Sequence, residues 1–159
     1  MTNLTFISIG SLKEDYLVRA VAEYEKRLSA YCRTESITLR EERITDEENP
    51  AAVRAALEKE GDAVLAKIPV GAFTVALCVE GEMLTSETLA ARIGEAVDRC
   101  GKICFIIGSS HGLAPKVKAA AHLRLSVSRP TFPHQLMRAM LPEIVYRSFT
   151  ILNRKKYHK

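Results

Sequence analysis

The stretch I-C-F-I-I-G-S-S-H-G, Ile103 to Gly112, decides how this 159-residue chain is to be read. Five apolar residues without polar alternation describe a strand buried on both faces, the pattern of a parallel sheet covered by helices on either side. Gly108 and Gly112 then bracket a polar turn, and Ala114 to Ala121, rich in alanine and lysine, reads as a short helix. Phe73 to Val79 repeats the doubly apolar pattern and supplies a second central strand, ending in the polar turn Glu80 to Glu82.

Outward from these two runs, strands and helices alternate. Leu4 to Ile9 is a strand, and Ser11 with Glu14 has capping-box spacing before Leu17, Ala20, Val21, Tyr24 and Leu28 recur at helical intervals. Ser36 to Arg40 is a short second strand, and Glu41 to Asn49 is acidic and reads as a solvated loop. Asn49 and Pro50 open a helix carrying Val53, Leu57, Val64 and Leu65, weakened by Gly61 and ended by Pro69. Ser86 caps a third helix with Leu89, Ile93 and Val97 on one side and Gly101 as its stop. Leu123 to Val127 is a fifth strand. From Thr131 a last helix carries Leu136, Met140, Leu141, Ile144, Val145, Phe149 and Leu152, and Pro142 is expected to kink or split it. Neither an internal repeat nor a low-complexity segment is present. The expected fold is therefore α/β, a mainly parallel sheet with helices on both faces, in one domain spanning residues 1–159.

Composition agrees with that. With 47% apolar residues the chain can bury a core unaided by metal or disulfides. Cys32, Cys78, Cys100 and Cys104 lack the paired spacing of zinc ligands and read as reduced, mostly buried thiols. No apolar run reaches the roughly 18 to 20 residues of a membrane span, and Met1 to Gly10 lacks a basic leader, so a cytoplasmic protein is expected. A net charge of +4 permits an RNA partner without requiring one.

Ligands of open α/β sheets bind beyond the carboxyl ends of the strands. Leu77, Gly108 and the run Leu125, Ser126, Val127, Ser128, Arg129, Pro130 all lie at such ends, and adjacent parallel strands would bring them together. Backbone donors and acceptors there suit an adenosyl group. The glycines match neither a dinucleotide fingerprint nor a phosphate loop, and no acidic cluster offers a magnesium site, so no metal is expected. Gly108 and Gly112 fit either close approach to a ligand or a tight strand-to-helix turn. His111 reads as an exposed polar residue, His134 as a capping or turn residue, and Arg129, Arg138 and Arg147 as surface or interface cations. Tyr157, His158 and Lys159, after Arg154, Lys155 and Lys156, read either as a frayed terminus or as a cationic aromatic end suited to phosphate and base contacts.

Taken together, A-E-Y-E-K-R-L at Ala22 to Leu28, I-I-G-x-x-x-G at Ile106 to Gly112, L-S-x-S at Leu125 to Ser128, T-F-P-H-Q-L-M-R at Thr131 to Arg138, V-Y-R at Val145 to Arg147 and the terminal Y-H-K resemble one family over essentially the full length. It is the family of SPOUT-class methyltransferases that modify a pseudouridine of large-subunit (23S) ribosomal RNA. The resemblance implies a homodimer, a C-terminal trefoil knot, and S-adenosylmethionine (S-adenosyl-L-methionine) held by Leu77, Gly108 and Leu125 to Pro130. It also implies methyl transfer to N3 of the pseudouridine on assembled ribosomes. Tyr157, His158 and Lys159 then become catalytic candidates: His158 as base or orienting group, Tyr157 for stacking or positioning, Lys159 for stabilising developing negative charge. Part of the face Leu136, Met140, Ile144 and Phe149 is expected at the dimer interface. This chain departs from the pattern at Ser109, where relatives usually carry glycine. Two other readings compete: a nucleotide-binding α/β module of another reaction class, and a non-catalytic ribosome-binding factor.

Overall fold

The computed structural model describes residues 1–159. Five strands, β1 (Thr2–Ile9), β2 (Cys32–Leu39), β3 (Phe73–Glu82), β4 (Lys102–Ile107) and β5 (Leu123–Leu125), alternate with helices α1 (Asp15–Leu28), α2 (Pro50–Leu65), α3 (Ser86–Cys100), α4 (Pro115–Ala120) and α5 (His134–Leu152). All strand pairs are parallel, in the order β2-β1-β4-β3-β5. The α/β, mainly parallel expectation is met.

Strand pleating divides the core into two layers. Leu4 and Phe6 of β1, Val75 of β3, and Ile103, Phe105 and Ile107 of β4 face α1, α3 and α5, meeting Leu28, Leu89, Ile93, Leu141, Val145 and Phe149. Ile7, Ile9, Ala76, Cys104 and Ile106 point the other way, onto Val64 of α2 and Val117 of α4. Phe105 and Ile106 are both fully buried. The unbroken apolar run of β4 therefore reflects its place inside the sheet, between β1 and β3.

Several local signals resolve differently in the structure. Ser11 does not cap α1. The helix starts after Glu14, whose carbonyl accepts from Leu17 and Val18, without a side-chain cap. The preceding segment is instead tied to α5, where Gln135 Oε1 accepts from the Lys13 amide at 3.3 Å. Thr85, not Ser86, caps α3, its hydroxyl accepting from Thr88 N at 3.1 Å. Gly61 does not merely weaken α2: a Cβ there would stand 2.8 Å from Ala114 Cβ, so glycine lets α4 pack closely. The Glu80–Glu82 turn belongs to an irregular β3, whose end pairs with Leu125 of β5 after a register shift. β5 stops at Leu125, and α5 begins at His134 rather than Thr131. Pro142 does not split α5, which continues to Leu152.

Candidate functional site

The carboxyl ends of β3, β4 and β5 open into one cavity of about 550 Å³, within the roughly 300–1,000 Å³ of small-molecule sites. Leu77 comes from β3, Gly108 follows β4, and Leu125, Ser126, Val127, Ser128 and Pro130 come from β5 and the segment beyond it. The structure thus brings together seven of the eight residues expected to hold a cofactor. Arg129 is exposed and is not part of the lining.

Two walls of the cavity differ in construction. The Gly108–Gly112 turn is closed on itself: Gly112 N donates to Ser109 O at 2.9 Å, and Gly112 adopts φ +84°. A Cβ on Gly108 would lie 2.2 Å from Gly112 O. Of the two readings of Gly108, the tight turn accounts for the glycine. Across the cavity, residues 126–133 have no regular secondary structure. Ser126 N is tied to Glu82 O at 2.9 Å, Ser126 Oγ donates to Ser128 O at 3.1 Å, and Ser128 Oγ donates to Pro130 O at 2.5 Å. The amides of Val127 and Ser128 have no partner within the chain. Free backbone donors beside a concave, partly apolar surface are what an adenine edge or a carboxylate can use.

Other lining residues were not expected at the cavity: in the sequence, His111 reads as exposed and His134 as a capping or turn residue. Glu80 and Lys118, 38 positions apart, pair at 2.5 Å. The Lys118 ammonium holds the Glu80 carboxyl below its ordinary range. His111 is half-buried in the lining, with Nε2 4.0 Å from Glu47 Oε1. Phe132, Met137 and His134 close the side next to α5.

Tyr157, His158 and Lys159 are not in the cavity of their own chain. After α5 the chain reverses: Arg154 takes φ 52°, Arg154 N donates to Ile151 O, and Lys155 N donates to Thr150 O. This is a Schellman-type stop with arginine where glycine is usual. The tail then runs back along α5. Tyr157 Oη donates to Glu143 Oε1 at 3.1 Å and its ring stands edge-on to Tyr146, with the Arg147 guanidinium 4.9 Å over it. His158 Nε2 lies 2.7 Å from Glu87 Oε1 on α3. Burial, followed by the hydrogen bonds to Tyr24 and Glu143, pushes the Tyr157 phenol up to about 12. It is therefore neutral near pH 7, a donor rather than a base. Lys159 is exposed.

Along the proposed interface face, Phe149 is buried in the chain's own core, whereas Leu136, Met140 and Ile144 remain half-exposed. Cys32 and Cys104 are free, and burial pushes both thiols up to about 12, which makes them poor nucleophiles. No three His, Cys, Asp or Glu side chains gather as a metal-binding group, and no helix is long and apolar enough to cross a membrane.

Comparison with known proteins bears on the same residues. A family model described as predicted SPOUT methyltransferase matches residues 2–158. Proteins named ribosomal RNA large subunit methyltransferase H are similar along their whole length. The one from Bacillus pumilus is 44% identical over 158 residues, covering 99% of each chain. That from Shouchella clausii is 45% identical over 159 residues, again 99% of each. That from Moorella thermoacetica is 44% identical over 160 residues, 100% of each. A solved structure described as giving structural insights into the 2-OH methylation of C/U34 on tRNA matches 97% of this chain and 99% of its own, with TM-score 0.51 at 15% identity, a likeness of fold.

Proposed function

This chain belongs to the SPOUT methyltransferase family, and on that premise we propose that it methylates N3 of a pseudouridine in large-subunit ribosomal RNA, using S-adenosylmethionine and acting on the assembled ribosome as a homodimer. The observation that carries the reading is the convergence of three strand ends into one cavity whose lining includes seven of the residues matched to the family's cofactor contacts. Full-length similarity to proteins named as ribosomal RNA methyltransferases supports the choice of substrate.

The residues present fit the cofactor. The unpaired amides of Val127 and Ser128 can read an adenine edge, Leu77 and Leu125 offer apolar contact to its ring, and the closed Gly108–Gly112 turn bounds the pocket. When bound there, the cofactor supplies a methyl group already activated by sulfonium charge. The chain's own task is to align the pseudouridine N3 with that methyl and to ease departure of the N3 proton. As the N–C bond forms and the C–S bond breaks, that proton must pass to a protein group or water.

In this reading the tail of one subunit completes the cavity of the other. His158 accepts or orients the N3 proton, and Lys159 stabilises the negative charge that develops on the ring. Tyr157 positions the base, a role consistent with its neutral phenol. Exclusion of the tail from its own cavity supports the shared arrangement. The knot also belongs to this reading: the backbone of Arg124 and Leu125 lies against Gly81, where a Cβ would stand 2.7 Å from either carbonyl carbon, so the chain leaves β5 pressed against the end of β3 before entering α5.

Mixed dimers test the whole reading. Gly108→Trp and a chain lacking Tyr157 to Lys159 should each be inactive alone toward ribosomes with tritiated S-adenosylmethionine. Co-refolded, they should regain activity, because one of the two sites in a heterodimer is intact. Absence of recovery would refute the shared site. A modified nucleotide other than pseudouridine, mapped in the labelled RNA, would refute the substrate.

A further inference from the structure

Only two buried side-chain oxygens in the molecule lack a hydrogen-bond partner, Glu60 Oε2 and Ser109 Oγ. They belong to the same place. Glu60 lies on α2 and is 3% exposed; Ser109 is 4% exposed and forms the underside of the turn that bounds the cavity. The serine hydroxyl is close enough to act on the Glu60 carboxyl, although no hydrogen bond of ordinary geometry joins them. A buried carboxyl needs a partner in either charge state.

The charged groups around Glu60 oppose its ionisation. Glu41 and Glu42, on the segment between β2 and α2, add negative charge beside it. Its α2 neighbours Glu58 and Asp62 are both engaged by Lys116 of α4, at 2.9 and 2.5 Å, so that cation is already committed. Across the turn, His111 faces Glu47. Burial first, then Glu41 and Glu42, lift the Glu60 carboxyl to about 7, against the pull of the Ser109 hydroxyl and the Glu42 backbone amide.

We propose that Glu60, as the neutral acid, is a positioning residue for the cofactor turn: its Oε2–H donates to Ser109 Oγ and holds Gly108–Gly112 in the shape that bounds the cavity. Both orphaned oxygens are satisfied by that one bond. Loss of the proton leaves a carboxylate among Glu41 and Glu42 that can only accept, so the bond must reverse, with the Ser109 hydroxyl now donating, and the turn rearranges with it. The acidic segment after β2 thereby acquires a role beyond solvation, since it sets the proton occupancy of a group under the cavity. The consequence for cofactor affinity rests on the cofactor reading given above; the coupling between Glu60 and the turn does not.

Carboxyl-carbon and amide NMR titration of the full-length protein without ligand tests the coupling. Glu60 should titrate near neutrality, with the amides of Ser110, His111 and Gly112 following the same midpoint. In Glu60→Gln that amide transition should vanish while the turn keeps its low-pH shifts, because the amide group can donate to Ser109 Oγ in place of the acid. In Ser109→Gly, Glu60 should still titrate while the turn amides no longer follow it. Amides indifferent to pH in this range, or a transition that survives Glu60→Gln and so belongs to His111, would overturn the proposal. With S-adenosylhomocysteine as probe, calorimetry should find affinity falling about threefold to tenfold between about pH 6 and about pH 8.5 in the native protein and nearly constant affinity in Glu60→Gln. Equal pH profiles would also overturn it. Absence of binding at every pH would defeat the cofactor reading, leaving the NMR result to decide the Glu60–Ser109 coupling.

Discussion

The cavity and the tail are held by different physics. The cavity walls grow out of β3, β4 and β5, whose side chains at Val75, Phe105, Ile106 and Leu125 are at most 3% exposed. Its shape is therefore coupled to the sheet. The tail is held by a handful of half-exposed contacts, Tyr157 to Glu143, His158 to Glu87 and Arg147 over the Tyr157 ring. Contacts of this kind, made by polar groups in reach of solvent, are individually weak. The difference is between a cavity built into the sheet and an end that can detach, which is what the proposed sharing of the tail between subunits requires.

The comparison breaks most sharply at Gly108. Because even a Cβ would collide with Gly112 O, Gly108→Trp should abolish cofactor binding by calorimetry, and Gly108→Ala should weaken it at least about tenfold. Circular dichroism should show a retained fold in the alanine variant. Wild-type affinity in either would remove the turn from the site. Deleting Tyr157 to Lys159 should have the opposite profile, with cofactor affinity kept and methylation of ribosomes reduced by about 10² to 10⁴-fold, the range of general acid–base catalysis. Unchanged methylation would reduce the tail to a structural end.

Smaller changes sharpen the contrast. Glu87→Gln removes the charged partner of His158 and should alter turnover by less than about fivefold, with cofactor affinity unaffected. A loss as large as that of the deletion would mean that the docked tail is itself the active form. The smallest effect concerns stability. Glu60 is raised from 4.5 to about 7 in the folded chain, so the native state holds its proton more tightly than the unfolded state. The penalty is absent below about pH 4.5, grows as pH rises, and is complete above about pH 7. Glu60→Gln should therefore raise Tm by a few degrees at pH 8 and hardly at all at pH 4. A gain independent of pH would point to packing instead.

Much of the fold was legible because burial on two faces leaves a local trace. Ile103 to Ile107 and Phe73 to Val79 could be recognised as central strands from their own residues, and the strand ends carrying Leu77, Gly108 and Leu125 followed from a general rule about open sheets. The site's polar half was not legible. Glu80 and Lys118 meet only because β3 and α4 pack side by side, and Glu42 and Glu60 read as ordinary charged residues of a loop and a helix. The reversal after α5 was hidden as well, since arginine rather than glycine occupies the left-handed position.

By itself the sequence determined the alternation of strands and helices, the two doubly buried strands, and the family to which the motifs point. These rest on side-chain periodicity and short motifs, which neighbouring residues encode directly. Tertiary structure alone decided that β4 lies between β1 and β3 and that the segment before α1 is tied to α5 through the Lys13 amide and Gln135. It also decided that Glu60 is buried under Ser109 and that the tail folds back along its own helix. Each of these depends on which distant segment reaches a group first, and no local pattern records that competition.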